Sequence, residues 1–371
     1  MAEQRTVGVP TEIKDNEYRV AITPDGVAEL VHRGARVVVQ SGAGIGAGIT
    51  DDDYNAAGAE LCAEAADVWS RADVVCKVKE PQPEEWPYFR PGLVLFTYLH
   101  LAAYPDVADA LLGSGVTGIA YETVQTAGGG LPLLAPMSEI AGRMATQIGA
   151  HHLQREHGGR GVLLGGAPGV RPGRVVVLGA GNVGWNAAWI AAGMQAEVLV
   201  LDKNLDRLRW VDQMDHGRIT TAASNRGAIA RAVASADLVV GAVLVAGDRA
   251  PVVVSEEMVA SMPARSVIVD VAVDQGGCVE TTHETTHADP VYEVHGVVHY
   301  AVGNIPGAVP NTSTFALTNA TLPYLVELAT AADPLDACRA DTVLGLGVNT
   351  HAGEVTHAAV AHSLGLTHHD L

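Results

Sequence analysis

The stretch RVVVLGAGNVG, residues 174–184, passes from an apolar run straight into a glycine loop. Three valines and a leucine in succession read as a strand covered on both faces, the habit of central strands in parallel sheets. Gly179, Gly181 and Gly184 then spell G-x-G-x-x-G around Asn182 and Val183, and WNAAWIAAGM continues as a helix. In that setting the first glycine permits a tight turn, the second lets a pyrophosphate approach the backbone, and the third lets helix pack on strand. Free amide groups at the helix start face the phosphates. The following strand, EVLVLD, ends at Asp202, eighteen residues past Gly184. A carboxylate there accepts hydrogen bonds from ribose hydroxyls and repels a 2′-phosphate, which favours NAD over NADP; Lys203 beside it weakens that preference. The stretch is read as a dinucleotide-binding βα turn.

Outward from this turn the chain keeps alternating strand and helix. A helix around residues 204–215 and two apolar strands, DLVVGAVL and SVIVDVAV, follow it. The first third alternates in the same way, with RTVGVP, ARVVVQ, DVVCKV, GLVLFTYL and GVTGIAYETV as strands. This is the α/β pattern of largely parallel sheets joined by crossover helices. Thr23 followed by Pro24 caps a helix whose Val27, Leu30 and Val31 are expected to share a buried face, and Gly34 ends it. A second helix starts at Thr50 with three aspartates in its first turn, where negative charge suits the helix dipole. Residues 136–157 read as one long connecting helix, and the glycine- and proline-rich residues 158–173 as loops. Beyond Pro310 a helical segment and a histidine-rich tail are expected to return to the first domain. The division is therefore residues 1–135 with 308–371 as one domain and 136–307 as the dinucleotide-binding domain.

Composition narrows the function. A chain of 371 residues that is 48% hydrophobic has enough apolar mass for two cores. A formal charge of −19 repels nucleic acid and anionic lipid. Cys62, Cys76, Cys278 and Cys338 lie far apart and form no C-x-x-C pair, so neither a disulfide framework nor a thiolate metal site is indicated. No signal-like N-terminus and no apolar run of membrane-spanning length occurs, and a cytoplasmic location is expected.

A second glycine cluster, residues 42–48, also follows a strand. The helix after it opens with three aspartates, which would push a diphosphate away, so it is read as a turn. Two of the four lysines, Lys77 and Lys79, sit at the end of a strand, where alternation puts them on one face. The next strand ends in His100. Either group alone reads as a surface charge or a satisfied strand-end histidine. Together, at the carboxyl ends of successive strands where α/β sheets bind ligands, they form an anion-binding and proton-transfer pair.

One string competes with this reading. His283, Glu284 and His287 spell H-E-x-x-H, the signature of zinc peptidases. That chemistry needs a helix to project both imidazoles from one face, whereas here threonines flank the pair and Pro290 follows, so no metal is expected. The tail histidines, His357, His362, His368 and His369, are expected to be solvent-exposed.

The segments VGVPTEIKDNEYRVAITPDGVAEL, VCKVKEP, LFTYLHLA, GIAYETVQ, LPLLAPMSEIAGR, VVVLGAGNVG, VDVAVDQGGC and NTSTFALTNATLPY, in that order, closely resemble NAD-dependent alanine dehydrogenases. The resemblance runs from about residue 6 to residue 330. It implies two Rossmann-like domains with the active site in the cleft between them, and reversible deamination of L-alanine to pyruvate and ammonium. Arg19 and Lys79 then hold the substrate carboxylate, His100 is the acid/base, and Asp274 is the second catalytic group. The same resemblance assigns cofactor contacts to Ser138, Gly179, Gly181, Asn182, Val183, Gly184, Asp202, Arg207, Ser224, Val243 and Leu244. It adds Val271, Ala272, Val273 and Asp274, and Val302, Gly303, Asn304 and Ile305; the match at Ser224 is the loosest. A homohexamer is implied as well. The soluble NAD(H)-binding subunit of proton-translocating transhydrogenase shares the fold and the RVAxTP opening, and a lysine or saccharopine dehydrogenase would keep the fold with a larger pocket. Lys79, His100 and Asp274 together favour the free-standing dehydrogenase.

Overall fold

The computed structural model describes residues 4–215, 217–243 and 250–371. The chain divides into two compact units, residues 1–137 with 309–371 and residues 138–308.

In the first unit, β1 (Thr6–Val9), β2 (Arg36–Gln40), β3 (Glu60–Cys62), β4 (Val74–Cys76), β5 (Val94–Thr97) and β6 (Thr117–Ala120) pair in parallel in the order β3-β2-β1-β4-β5-β6. The tail adds two antiparallel strands at the β6 edge, β14 (Val348–His351) and β15 (Glu354–Val355). The order reverses between β1 and β4, which opens a crevice at their carboxyl ends where such sheets bind ligands. The long helix Pro310–Thr330, with Pro323 inside it, belongs to this unit.

The second unit repeats the plan. Strands β7 (Arg174–Leu178), β8 (Glu197–Asp202), β9 (Ile219–Ala223), β10 (Leu238–Gly241), β11 (Val267–Asp270), β12 (Val291–Val294) and β13 (Val297–Tyr300) lie in the order β12-β13-β11-β10-β7-β8-β9. Among the described strands of this sheet only the edge pair β12–β13 is antiparallel. Both faces of β7 are covered: Val175 and Val177 pack with Ala187, Ala188, Ala191 and Ala192 of the helix Asn182–Gly193, while Val176 and Leu178 join Ile229, Val239 and Ile268 on the other face. Alanine on the inner side of that helix lets it lie close to the sheet, and each buried valine contributes roughly 2 kcal/mol.

Local signals hold where their physics is local. The Thr23 hydroxyl accepts the Gly26 amide with Pro24 at the first helical position. Thr50 and Asp53 form a reciprocal capping box. Several expectations are corrected. Val31 is 38% exposed while Val27 and Leu30 are fully covered, because it lies one residue outside the stripe that meets the sheet. The connecting helix ends at His152 and a separate 3-10 turn covers Arg155–His157. His357 is half-buried, since its ring accepts the Val360 amide and caps the helix Ala358–Leu364. Strands β3 and β15, three and two residues long, are too short to announce themselves by alternation.

Candidate functional site

In the first unit, the segments leaving β1, β4, β5 and β6 carry the polar residues. After β1 the chain runs without regular structure to Thr23, and Arg19 lies there 2% exposed. Its guanidinium grips Glu17 through Nε at 2.6 Å and Nη2 at 2.5 Å, and Glu17 also accepts the Arg19 amide at 3.0 Å. Burial alone would raise the Glu17 carboxyl; the paired arginine overrides it and holds the group down at about 2. The second glycine cluster is the bed for this segment, since a Cβ on Gly46 would stand 2.6 Å from the Tyr18 carbonyl. Asp51 serves the same loop by accepting the Gly42 amide at 2.8 Å.

The strand β4 stops at Cys76, so alternation no longer governs Lys77 and Lys79, and the two lysines part company. Lys77 is 1% exposed and lies between two carboxylates, 3.2 Å from Glu12 and 2.8 Å from Glu85. Lys14 pairs with Glu80, and Arg19 with Glu17. Among the described residues no carboxylate lies within ion-pair distance of Lys79, and burial, then the charges of Arg19 and Lys14, lower its pKa. Glu80 and Glu17 act on it only at longer range, which partly offsets that lowering.

His100 lies past the end of β5, not on it, and takes a left-handed backbone conformation at φ 48°. A non-glycine residue pays for that conformation only when its surroundings enforce it. Here Glu122, just past β6, accepts the His100 amide at 2.6 Å, and its Oε1 stands 3.9 Å from His100 Nδ1. The imidazole lies parallel to the Tyr98 ring, 5.7 Å between centroids and 3° between planes. Tyr98 is anchored in turn by donating to the Leu133 carbonyl at 2.6 Å.

In the second unit the glycine loop behaves as three separate requirements. Gly179 has φ 104°, and a Cβ there would stand 2.5 Å from the Ala242 carbonyl. A Cβ on Gly184 would stand 1.8 Å from the Gly179 carbonyl. Around Gly181 a Cβ would meet nothing among the described residues, so no contact with them demands glycine there. A cradle left open at the start of the helix Asn182–Gly193 fits a phosphate group, and the residues present suit a dinucleotide.

Asp202 does more than the ribose reading required. One carboxylate oxygen accepts the Ala180 amide at 2.6 Å and the other the Asn204 amide at 2.7 Å, so it braces the glycine loop and keeps only its remaining lone pairs for a ligand. The Ser224 amide donates to the Asp202 carbonyl at 2.9 Å, which brings this loosely matched residue beside the loop. Val243 follows β10 at the reversal of strand order; Leu244 lies outside the described residues. Ser138 lies one turn before Gly142, whose Cβ would stand 2.2 Å from the Val183 carbonyl, so the helix Ala135–His152 runs against the glycine-loop helix. Arg207 is exposed on the helix Leu205–Asp215, its amide donating to Asn204.

Asp274 is exposed on the 3-10 turn Val273–Gln275, after Val271 and the covered Ala272. That turn is tied down by Asp270, which sequence reasoning passed over. Its buried carboxylate accepts amides from Ala272 at 3.1 Å, Cys278 at 2.9 Å and Val279 at 3.2 Å. Val302, Gly303, Asn304 and Ile305 lie alongside: a Cβ on Gly303 would stand 2.9 Å from Asp274 Oδ1 and 2.2 Å from Glu284 Oε1, and Asn304 is left-handed at φ 61°. The H-E-x-x-H string therefore borders this region as extended chain. Thr285 pairs with Val302, His283 stacks on Tyr292 at 3.9 Å, and His287 Nε2 lies 3.4 Å from the Asn304 carbonyl. Its histidines do not share a helix face, and no cluster able to hold a metal occurs among the described residues.

Residues 8–141 match the model of the alanine dehydrogenase/PNT N-terminal domain, and residues 145–358 that of the C-terminal domain. The chain belongs to the alanine dehydrogenase/PNT family. It is similar to the alanine dehydrogenase of Mycolicibacterium smegmatis, 56% identical over 360 residues that cover 97% of each chain. A solved L-alanine dehydrogenase structure superposes with a TM-score of 0.94 at 51% identity, covering 97% of this chain and 99% of that one. A transhydrogenase from Sinorhizobium meliloti superposes at 0.83 with 27% identity, covering 95% of this chain and all (100%) of that one. Within the family, the chain therefore lies nearer the dehydrogenases than that transhydrogenase.

Glu12, Glu17, Glu122 and Asp270 are the supporting residues that sequence reasoning missed. All four stand inside or beside the motifs quoted above. Nothing in their spacing distinguishes a carboxylate that grips a neighbour from one that faces water.

Proposed function

We propose that this protein catalyses the NAD-dependent, reversible oxidative deamination of L-alanine to pyruvate and ammonium. The observation that carries the reading is Lys79, a largely buried ammonium without a carboxylate partner among the described residues, set in a cluster where Lys14, Arg19 and Lys77 are each paired. Such a cation is matched by the carboxylate of a small amino or oxo acid.

The nicotinamide, when bound, accepts the hydride from the α-carbon of alanine. Arg19, its Nε/Nη2 edge held by Glu17, would turn its other edge, Nη1 and Nη2, to the substrate carboxylate, and Lys79 supplies a point charge that polarises the carbonyl in the aminating direction. Its depressed pKa suits an amine that works beside a reacting carbonyl. The His100 imidazole exchanges the proton of the water that attacks the imine, held in place by Glu122 and Tyr98. Asp274 orients or deprotonates that water. Gly181 and the amides opening the next helix hold the pyrophosphate, and Asp202 turns the preference towards NAD. The family resemblance supports a cytoplasmic homohexamer, which the mass of the particle in solution tests. No described helix is long and apolar enough to cross a membrane.

The decisive assay follows the near-ultraviolet absorbance of the reduced nicotinamide. Alanine with NAD should generate it, and pyruvate, ammonium and NADH should consume it. Lysine in place of alanine, or NADP in place of NAD, should give little change. Turnover with lysine alone would replace the substrate assignment.

A further inference from the structure

Lys77 is the residue that the chemistry above leaves unused. A fully buried lysine between two carboxylates is costly to desolvate, and apolar side chains of similar volume would fill such a place at least as well. The network it belongs to points at its neighbour. Glu12 is 8% exposed and spends both oxygens on residues 77–79: Oε1 accepts the Val78 amide at 2.6 Å, and Oε2 takes the Lys79 amide at 3.3 Å and the Lys77 ammonium at 3.2 Å. On the other side of the same residue, the Thr97 hydroxyl, 0% exposed, donates to the Lys79 carbonyl at 2.9 Å. Lys77 is held in turn by Glu85, which accepts the Gln82 amide through its second oxygen at 2.8 Å.

The strand ends at Cys76, and two backbone bonds carry the pairing with β5 a little further, the Lys77 amide to the Phe96 carbonyl at 3.1 Å and the Tyr98 amide to the Val78 carbonyl at 3.3 Å, but neither reaches the Lys79 N–H or the Lys79 carbonyl. Side chains do so instead, from the segment after β1 and from the last residue of β5. We propose that Glu12 and Thr97 are positioning residues for Lys79: they clamp its peptide groups from both sides, and the Glu12–Lys77–Glu85 triad keeps Glu12 aimed so that the Lys79 ammonium meets the substrate at a fixed point. The proposal rests on the substrate-binding reading of Lys79. Burial raises the Glu12 carboxyl above its ordinary value; Lys77 and the Val78 amide oppose the rise, while Glu85 and Glu17 add to it.

The test uses the full-length enzyme and steady-state kinetics in the aminating direction. Glu12→Gln retains an acceptor for one amide only. It is expected to lower kcat/KM for pyruvate by about 10- to 100-fold, the scale of a misplacement of about 1 Å, while the KM for NADH stays within about twofold of the parent. Thr97→Val, isosteric and apolar, removes only the second clamp and should lower kcat/KM for pyruvate by about 3- to 10-fold, again sparing NADH. It decides the matter if Glu12→Gln does not fold. Wild-type pyruvate kinetics in a folded Glu12→Gln, or in Thr97→Val when Glu12→Gln is unfolded, would overturn the proposal. So would a loss shared equally by pyruvate and NADH, which marks general damage. Lys79→Ala separates the two levels: if it loses turnover while the clamp variants do not, only the clamp falls; if it retains turnover, the reading beneath it falls as well.

Discussion

The two candidate sites, one in each unit, are built from opposite materials. In the first unit the candidate substrate-binding residues stand among paired charges: Glu17 against Arg19, Glu12 and Glu85 against Lys77, Glu80 against Lys14, with no carboxylate at ion-pair distance from Lys79 among the described residues. In the second unit the work falls to backbone shape, with Gly179, Gly181 and Gly184 each cleared for a different reason and Asp202 bracing the loop. The contrast follows the ligands. A three-carbon acid offers little beyond its charge, so recognition needs fixed cations in a dry setting where each is worth more. A dinucleotide offers a long phosphate backbone, which amides at a helix start bind without any charged side chain.

The contrast is open to attack through substitutions in each half. The largest effect belongs to His100→Ala, expected to cut kcat by about 10² to 10⁴ while NADH affinity, read from its fluorescence on binding, hardly changes; retained turnover would remove the histidine from the chemistry. Next comes Lys77→Met, which leaves Glu12 and Glu85 buried without a cation and should destabilise the fold by about 3–5 kcal/mol in denaturant titrations. A much smaller loss would show that the triad is less dry than its burial implies.

Glu17→Gln probes the same region through pH. The folded pKa of Glu17 is about 2, against an ordinary 4.5, so its pairing stabilises the fold above the ordinary value and loses that effect as pH falls from about 4.5 towards 2. The variant should be less stable than the parent near pH 7 by on the order of 3 kcal/mol, with the gap closing in acid. A pH-independent gap would assign the loss to packing. The smallest effects separate two glycines of the other half. Gly184→Ala forces a clash with the Gly179 carbonyl and should cost up to about 3 kcal/mol of stability. Gly181→Ala should leave the melting curve nearly unchanged and weaken NADH by about tenfold, near 1.4 kcal/mol. Equal melting losses in both would deny that the space at Gly181 is reserved for a ligand.

Much of the molecule was legible residue by residue. The βα turn at Gly179, the caps at Thr23 and Thr50, and the doubly covered β7 announce themselves because their causes lie within a few residues of chain: a turn that needs glycine, an amide that needs a cap, a strand with no polar face. Short edge strands such as β3 and β15 do not, since two or three residues cannot show a period.

The lysines mark the limit most clearly. Their sequence neighbourhood, CKVKEP, establishes that two cations follow a strand, and the family resemblance singles out Lys79. That Lys77 is locked while Lys79 is available depends on Glu12, which comes from a segment more than sixty residues earlier in the chain. Charge, composition, the order of strands and helices and the cofactor loop were properties of the chain read in one dimension. Which carboxylate meets which cation was not, because ion pairing in a buried cluster is set by distances of about 3 Å that only the folded sheet imposes.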